Sequence, residues 1–391
     1  MMNTGHEKET ATFSGKQMTS RERVIKAVNH EPVDRVPIDL GMTTSTGISA
    51  FAYWNLRKHM GLSIDNIEIV DMVQMLARVD EEILERFKCD CIMLHLPWKN
   101  PYRWNVREEY SFIIPSHVKP SKNEDGSWIV NYNNGHMKMP EAGFFFDGDW
   151  LDISNVDEDD YIDALAKEAE KICKETNYYT SLPGFAAYFR TNTDWLMKML
   201  LDPEEVIWEN RAKLNNQLAK AHKIIKKMGK YIQSVRISSD LGTQKGPWCN
   251  PKAFEEISAP FYKEFCKFIH ENSGLKVHVH TCGSIKPFIP ILIDCGIDII
   301  DPVQISADNM DPQELKNEFG DKITFWGGGC DTQNVLGTGT PAEVAENVKK
   351  NMSIFKQRSG YVFSQVHNIM GDVPPENIIS MLDTAYKESG A

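Results

Sequence analysis

The stretch KVHVHTCGSIKPFIPILIDCGIDII, residues 276–300, begins and ends on short β-branched runs, Lys276 to His280 and Asp298 to Ile300, with a loop holding glycine and proline after the first. A strand, a Gly/Pro/Asp-rich loop, a helix and another strand is the pattern of a parallel sheet, because parallel neighbours need a crossover between them. Working outward, the same pattern recurs at Val36 to Leu40, Cys91 to Leu96, Tyr178 to Leu182, Ile232 to Ile237, Ile323 to Trp326 and Tyr361 to Gln365, which makes eight candidate strands. Eight strands alternating with helices predict an α/β fold, a (β/α)8 TIM barrel, with an open doubly wound sheet as the competing arrangement.

Helix starts support this reading. Thr19 with Glu22, Asp311 with Glu314 and Thr340 with Glu343 have capping-box spacing, and Pro312 and Pro341 stand at the first helical position. Asn250-Pro251 is read as opening one helix whose apolar face carries Phe254, Ile257, Phe261, Phe265 and Phe268 before Gly274 closes it. Residues 97–150 interrupt the alternation. Tyr110 to Ile114 and Trp128 to Tyr132 are strand-like, the turn Asn123-Glu124-Asp125-Gly126 lies between them, and the segment is read as an inserted β-hairpin region after the second strand. It would lie over the barrel mouth as a lid, a homodimer surface or a substrate contact. The expected organisation is thus a flexible N-terminus over 1–18 and one barrel over 19–391 carrying that insertion.

Composition narrows the function. The formal charge of −12 comes from 55 acidic and 43 basic residues that are interleaved, which argues against a nucleic-acid surface. No run of about 18 apolar residues is present to span a membrane, and Met1 to Lys16 has no apolar signal-peptide core, so the chain is read as cytoplasmic. Eight cysteines are too sparse for a disulfide scaffold in 391 residues. Cys89, Cys91, Cys173, Cys266 and Cys295 read as small buried hydrophobes, while Cys249, Cys282 and Cys330 sit beside Gly, Pro or polar loop residues.

In a barrel the reactive groups come from the C-terminal ends of the strands. The fifth strand ends His278-Val279-His280-Thr281-Cys282-Gly283, where His280 and Cys282 reach the loop; an imidazole and a thiolate together suit zinc. The alternative is a core histidine bonded to a carbonyl beside a buried thiol, and His278, lower on the strand, reads as structural or as a support for a ligand. The seventh strand runs into Gly327-Gly328-Gly329-Cys330-Asp331, so Cys330 is either a ligand or a space-filling residue, and Asp331 orients a histidine, ligates metal or caps the following turn. The eighth leads to His367, a third ligand or a general acid/base. Asp240, after the fourth strand, and Asp39, at the end of the first, are carboxylates that orient substrate or simply make turns.

Arg21-Glu22-Arg23-Val24, His30-Glu31-Pro32-Val33-Asp34-Arg35-Val36-Pro37, His280-Thr281-Cys282-Gly283-Ser284, Asp301-Pro302-Val303-Gln304, Gly328-Gly329-Cys330-Asp331-Thr332-Gln333 and Pro375-Glu376-Asn377-Ile378, in this order, resemble the uroporphyrinogen decarboxylase superfamily. Decarboxylases of that superfamily carry an arginine-rich segment after the first strand. Here the place reads Leu40-Gly41-Met42-Thr43-Thr44-Ser45-Thr46-Gly47, so the chain resembles the corrinoid-dependent methyltransferase branch instead. That branch binds zinc at His-x-Cys and takes a later cysteine as third ligand; here the corresponding place holds His367, which leaves the third ligand open between His367 and Cys330. The resemblance implies a zinc-dependent methyltransferase moving a methyl group between a small methylated substrate and a corrinoid, with O-demethylation of a methoxylated aromatic preferred. No Asp-x-His-x-x-Gly corrinoid motif occurs in the chain, so the corrinoid would arrive on a partner protein. The alternative activity is a uroporphyrinogen decarboxylase-like decarboxylation without metal, and the alternative role is a non-enzymatic assembly partner of a corrinoid protein.

Overall fold

The computed structural model describes residues 17–132, 135–148 and 158–391. Six strands, Ser181–Ala186, Ser234–Ser238, Lys276–His280, Ile299–Asp301, Thr324–Trp326 and Tyr361–Val362, form one parallel sheet in chain order. Two further staves are single bridges. Ile38 pairs in parallel with Phe363, and Cys91 with Tyr179. The Asp90 amide donates to the Ile38 carbonyl at 2.7 Å, joining the two staves and closing the ring. Each of the eight sequence-derived strands contributes a stave, and the fold is a (β/α)8 barrel. The expected N-terminal fray over 1–18 falls, for residues 1–16, outside the described residues; the Met18 amide donates to Asp34 at 2.9 Å.

Alternation along the short staves sorts side chains into two apolar clusters. Val235, Ile237, Val277, Val279, Ile300 and Phe325 face the surrounding helices and belong to the main core. Cys91, Tyr179, Ile299, Trp326 and Val362 pack together inside the barrel with Val24 and Val28 of the first helix. That helix, Ser20–Val28, sits across the N-terminal ends of the staves: the Arg21 side chain donates to the Tyr178 carbonyl and the Gly360 amide to the Ala27 carbonyl. The bottom of the barrel is therefore plugged, and polar side chains can collect only toward the opposite end.

Thr19 with Glu22 and Thr340 with Glu343 form reciprocal capping boxes, and the Asp311 carboxylate accepts from the amides of Gln313 and Glu314. The helix expected from Pro251 to Gly274 is two, Pro251–Ile257 and Ala259–Asn272. Pro260 explains the break, since it has no amide proton to continue the first helix and a preset φ that suits the first turn of the second. Between residues 102 and 148 the backbone forms antiparallel ribbons: Tyr102–Asn105 pairs with Ser111–Ile114, and Ser121–Lys122, Trp128–Tyr132, Gly135–Met139 and Asp147–Gly148 form a second small sheet. The two runs read as strands thus belong to different ribbons. The Asn123–Gly126 turn connects Ser121–Lys122 to Trp128–Tyr132, with Gly126 at φ +79°.

Candidate metal centre

The fifth strand carries His278 and His280 on one face, two residues apart, so His280 stands at the rim with His278 one layer beneath it. Beyond His280 the chain turns through Gly283, whose φ is +86° and where an added Cβ would lie 2.4 Å from the Gly242 carbonyl carbon. Only glycine fits there. The turn is fastened on several sides: the Thr281 amide donates to the Asp301 carbonyl at 2.7 Å, the Cys282 amide to Asp240 Oδ1 at 3.1 Å, and the Gly283 amide to Gln304 Oε1 at 2.7 Å. These bonds hold the Cys282 side chain beside His280, with Sγ 3.6 Å from Nε2.

His367 arrives from the eighth strand. Its neighbours fix it: Asn368 accepts from the Gly47 amide at 2.7 Å and donates to the Thr44 carbonyl at 2.7 Å, while Gln365 Nε2 donates to the Thr46 carbonyl at 3.0 Å. The His367 ring lies 5.9 Å from that of His280, centroid to centroid. One ligand atom from each of His280, Cys282 and His367 can be chosen so that all three lie within 4.8 Å of one another, the only such grouping of three or more His, Cys, Asp and Glu among the described residues.

The electrostatics suit a cation. Burial pushes the His367 imidazole down to about 4, with His280 adding to the shift, so at neutral pH its lone pair is free. Burial, with Asp240 beside it, pushes the Cys282 thiol far above its ordinary value, so it is protonated until a cation replaces the proton. Two imidazoles and one thiol, converging at the open end of a barrel, form a donor set that fits zinc.

Asp240 is exposed, bonded to the Cys282 amide, and 3.5 Å from His280 Nε2. Asp331 accepts from the amides of Gln333 and Asn334 and from the Asn334 side chain, which is the turn-capping role. Cys330 is fully buried in the main apolar core and is not in the group of three; burial, with Asp331 adding, raises its thiol well above the ordinary range. Asp39 is fully buried, accepting from Trp326 Nε1 at 2.9 Å and the Met42 amide at 3.0 Å, and burial raises its carboxyl to about 7.

Two residues beneath the rim escaped the sequence reading. Asp301 ends the sixth strand, fully buried; its Oδ2 accepts from Ser45 Oγ at 2.5 Å and Arg236 Nη2 at 3.2 Å. The same oxygen is 3.6 Å from His278 Nε2 and 3.7 Å from His280 Nδ1. Burial alone would raise the Asp301 carboxyl, but its contact with His280 and the Arg236 guanidinium prevail and hold it below the ordinary range. Asp301 was visible only as part of a motif and Arg236 as one position in an apolar strand; pairing across strands brings them together.

Residues 240–388 match the family model described as uroporphyrinogen decarboxylase (URO-D). Among solved structures, a methyltransferase from Methanosarcina mazei superposes with a TM-score of 0.57 at 13% identity, covering 95% of this chain and 99% of that one, a likeness of fold. A glycoside hydrolase family 5 enzyme from Prevotella bryantii matches at a TM-score of 0.32 and 11% identity, over 57% of this chain and 76% of that one, a score that carries no argument. No curated protein matches. No helix among the described residues is long and apolar enough to cross a membrane. The matched span holds His280, Cys282, Cys330 and His367 alike.

Proposed function

We propose that this chain is a zinc-dependent methyltransferase that takes the methyl group of a small methoxylated aromatic and delivers it to a corrinoid carried by a partner protein. The observation that carries this reading is the convergence of His280, Cys282 and His367 at the barrel mouth. The fold likeness to a methyltransferase barrel supports it. Zinc bound there would supply a Lewis acid for the oxygen next to the methyl group, lowering the cost of the charge that builds on that oxygen.

The chain's own groups do the rest. Cys282 gives up its thiol proton when it becomes a ligand. His367, standing where the methyltransferases that the chain resembles have a cysteine, leaves the ligand set with one negative charge fewer. That difference favours stabilising a departing oxygen anion over activating a thiolate nucleophile. Asp240 fixes the Cys282 backbone from outside and faces His280. The segment Thr43–Gly47, where decarboxylases place arginines, offers hydroxyls and amides instead: Thr43 Oγ1 and Ser45 Oγ are 2.9 Å apart, and Ser45 is committed to Asp301. The segment itself carries no arginine for a polycarboxylate, and the guanidinium beside it, Arg236, is engaged by Ser45 and Asp301.

The test is methyl transfer from methoxylated benzoates to cob(I)alamin, followed by the appearance of methylcobalamin and of the phenol in equal amounts. The C–O bond breaks, cobalt takes the methyl group, and the oxygen takes a proton from water. Wild type should turn over, and Cys282→Ala should lose activity by at least about 100-fold. Release of carbon dioxide from a carboxylated substrate by metal-free protein would replace this reading with the decarboxylase one.

A further inference from the structure

The lower nitrogen of His280 faces the buried carboxylate of Asp301. Both His280 Nδ1 and Asp301 Oδ1 are buried without a hydrogen bond, and the closest approach between ring and carboxylate is 3.7 Å, from Nδ1 to Oδ2. Each orphan is what the other needs: a protonated Nδ1 is a donor, and an ionised Oδ1 is an acceptor. A buried donor and a buried acceptor left open are each costly, so bringing Nδ1 onto the Asp301 carboxylate is favourable.

Asp301 is built as a fixed support. Oδ2 is held by Ser45 and Arg236, both buried and bonded to each other at 2.6 Å, and the Asp301 backbone carbonyl accepts from the Thr281 amide in the loop between the two ligands. The Arg236 guanidinium keeps the carboxylate charged in a dry place. We propose that Asp301 is the positioning residue of the site: it accepts a hydrogen bond from His280 Nδ1–H, fixes the tautomer with the lone pair on Nε2, and aims that lone pair at the point shared with Cys282 and His367.

The upper edge of the ring agrees. Nε2 faces the Cys282 sulfur at 3.6 Å, where a protonated thiol donates to a lone pair. Asp240 Oδ1, 3.5 Å from Nε2, would favour the opposite tautomer, but its side chain is 52% exposed while that of Asp301 is fully buried, so water screens the outer carboxylate and not the inner one. His278, one layer beneath, lies 3.6 Å from the same Oδ2 and is fully buried with both nitrogens without partners, so it is a second imidazole facing this carboxylate.

The test has two arms, and only the second rests on the zinc reading above. Long-range proton–nitrogen NMR of metal-free wild type, with the His280 signals assigned by their loss in His280→Ala, should show the proton on Nδ1; a proton on Nε2 overturns the proposal whatever the metal does. In the second arm, zinc affinity is measured by competition with a chromophoric chelator, and the cobalt(II) d–d spectrum is recorded for wild type, Asp301→Asn and Ser45→Ala. Asp301→Asn should bind zinc roughly 10- to 100-fold more weakly and shift the cobalt bands, with Ser45→Ala intermediate and close to wild type in fold. If Asp301→Asn does not fold, Ser45→Ala carries the arm. Unchanged affinity and bands in the folded variants overturn the clamp and leave the zinc site standing, whereas wild type that takes up no zinc overturns the site and leaves the tautomer result to decide the clamp.

Discussion

The sulfur of Cys282 lies 3.6 Å from Nε2 of His280, although the two residues are separated by a single threonine that points elsewhere. Thr281 Oγ1 accepts from the Leu241 amide, so the middle residue is tied to the loop after the fourth strand while its flanking residues share the mouth. A strand that ends on histidine and turns at once through a left-handed glycine is what makes this geometry available.

Because Gly283 sits at φ +86° with no room for a Cβ, Gly283→Ala should displace the Cys282 turn. The expected result is a loss of at least about 1–2 kcal/mol in urea unfolding together with loss of metal binding, from a substitution that touches no ligand.

Proton release gives the second expectation. The Cys282 thiol stays protonated at neutral pH and the His367 imidazole, at about 4, does not, so binding one zinc should release about one proton near pH 7. Calorimetric titrations in buffers of different ionisation enthalpy measure this directly. The apparent zinc affinity should rise by about tenfold per pH unit between roughly pH 6 and 8; release of two protons, or none, contradicts the assigned ligand states.

Asp39 gives a stability signature. Its folded carboxyl is raised to about 7 from an ordinary 3.8, so between those values the folded chain holds a proton that the unfolded chain has lost. Stability contributed by the protonated form is complete below about pH 4 and is lost as pH rises through about 7. Asp39→Asn should remove that decline. Urea midpoints at pH 5 and pH 8 for the two proteins check it: the difference between wild type and variant should change between these values, with wild type relatively weaker at the higher pH.

Cys330 and His367 separate cleanly by substitution. Cys330→Ala removes a buried sulfur from the apolar core and should cost about 1 kcal/mol of stability with metal content unchanged. His367→Ala should do the reverse, leaving the unfolding midpoint of the metal-free protein nearly in place while weakening metal binding. Metal loss in Cys330→Ala would reassign the third ligand.

The barrel was legible because each stave is short, β-branched and followed by a helix with a marked start, and those signals are local. The pair His280 and Cys282 was legible for the same reason, lying two residues apart on one strand end. What escaped depends on partners distant in sequence. Asp301 and Arg236 meet only because the fourth, fifth and sixth strands pair in register, with Arg236 opposite His278 and His280 opposite Asp301. The antiparallel pair Ile69–Asp71 with Leu76–Ala77 escaped because strands of two or three residues carry no period. Pro260 was passed over because the apolar spacing continues across it, although the backbone does not.

The most direct test is elemental analysis of the purified protein and of His280→Ala, Cys282→Ala and His367→Ala, each shown to be folded. Wild type should hold about one zinc per chain and the three variants should lose most of it. Equal zinc in all four proteins, or none in any, would contradict a metal centre built from these residues.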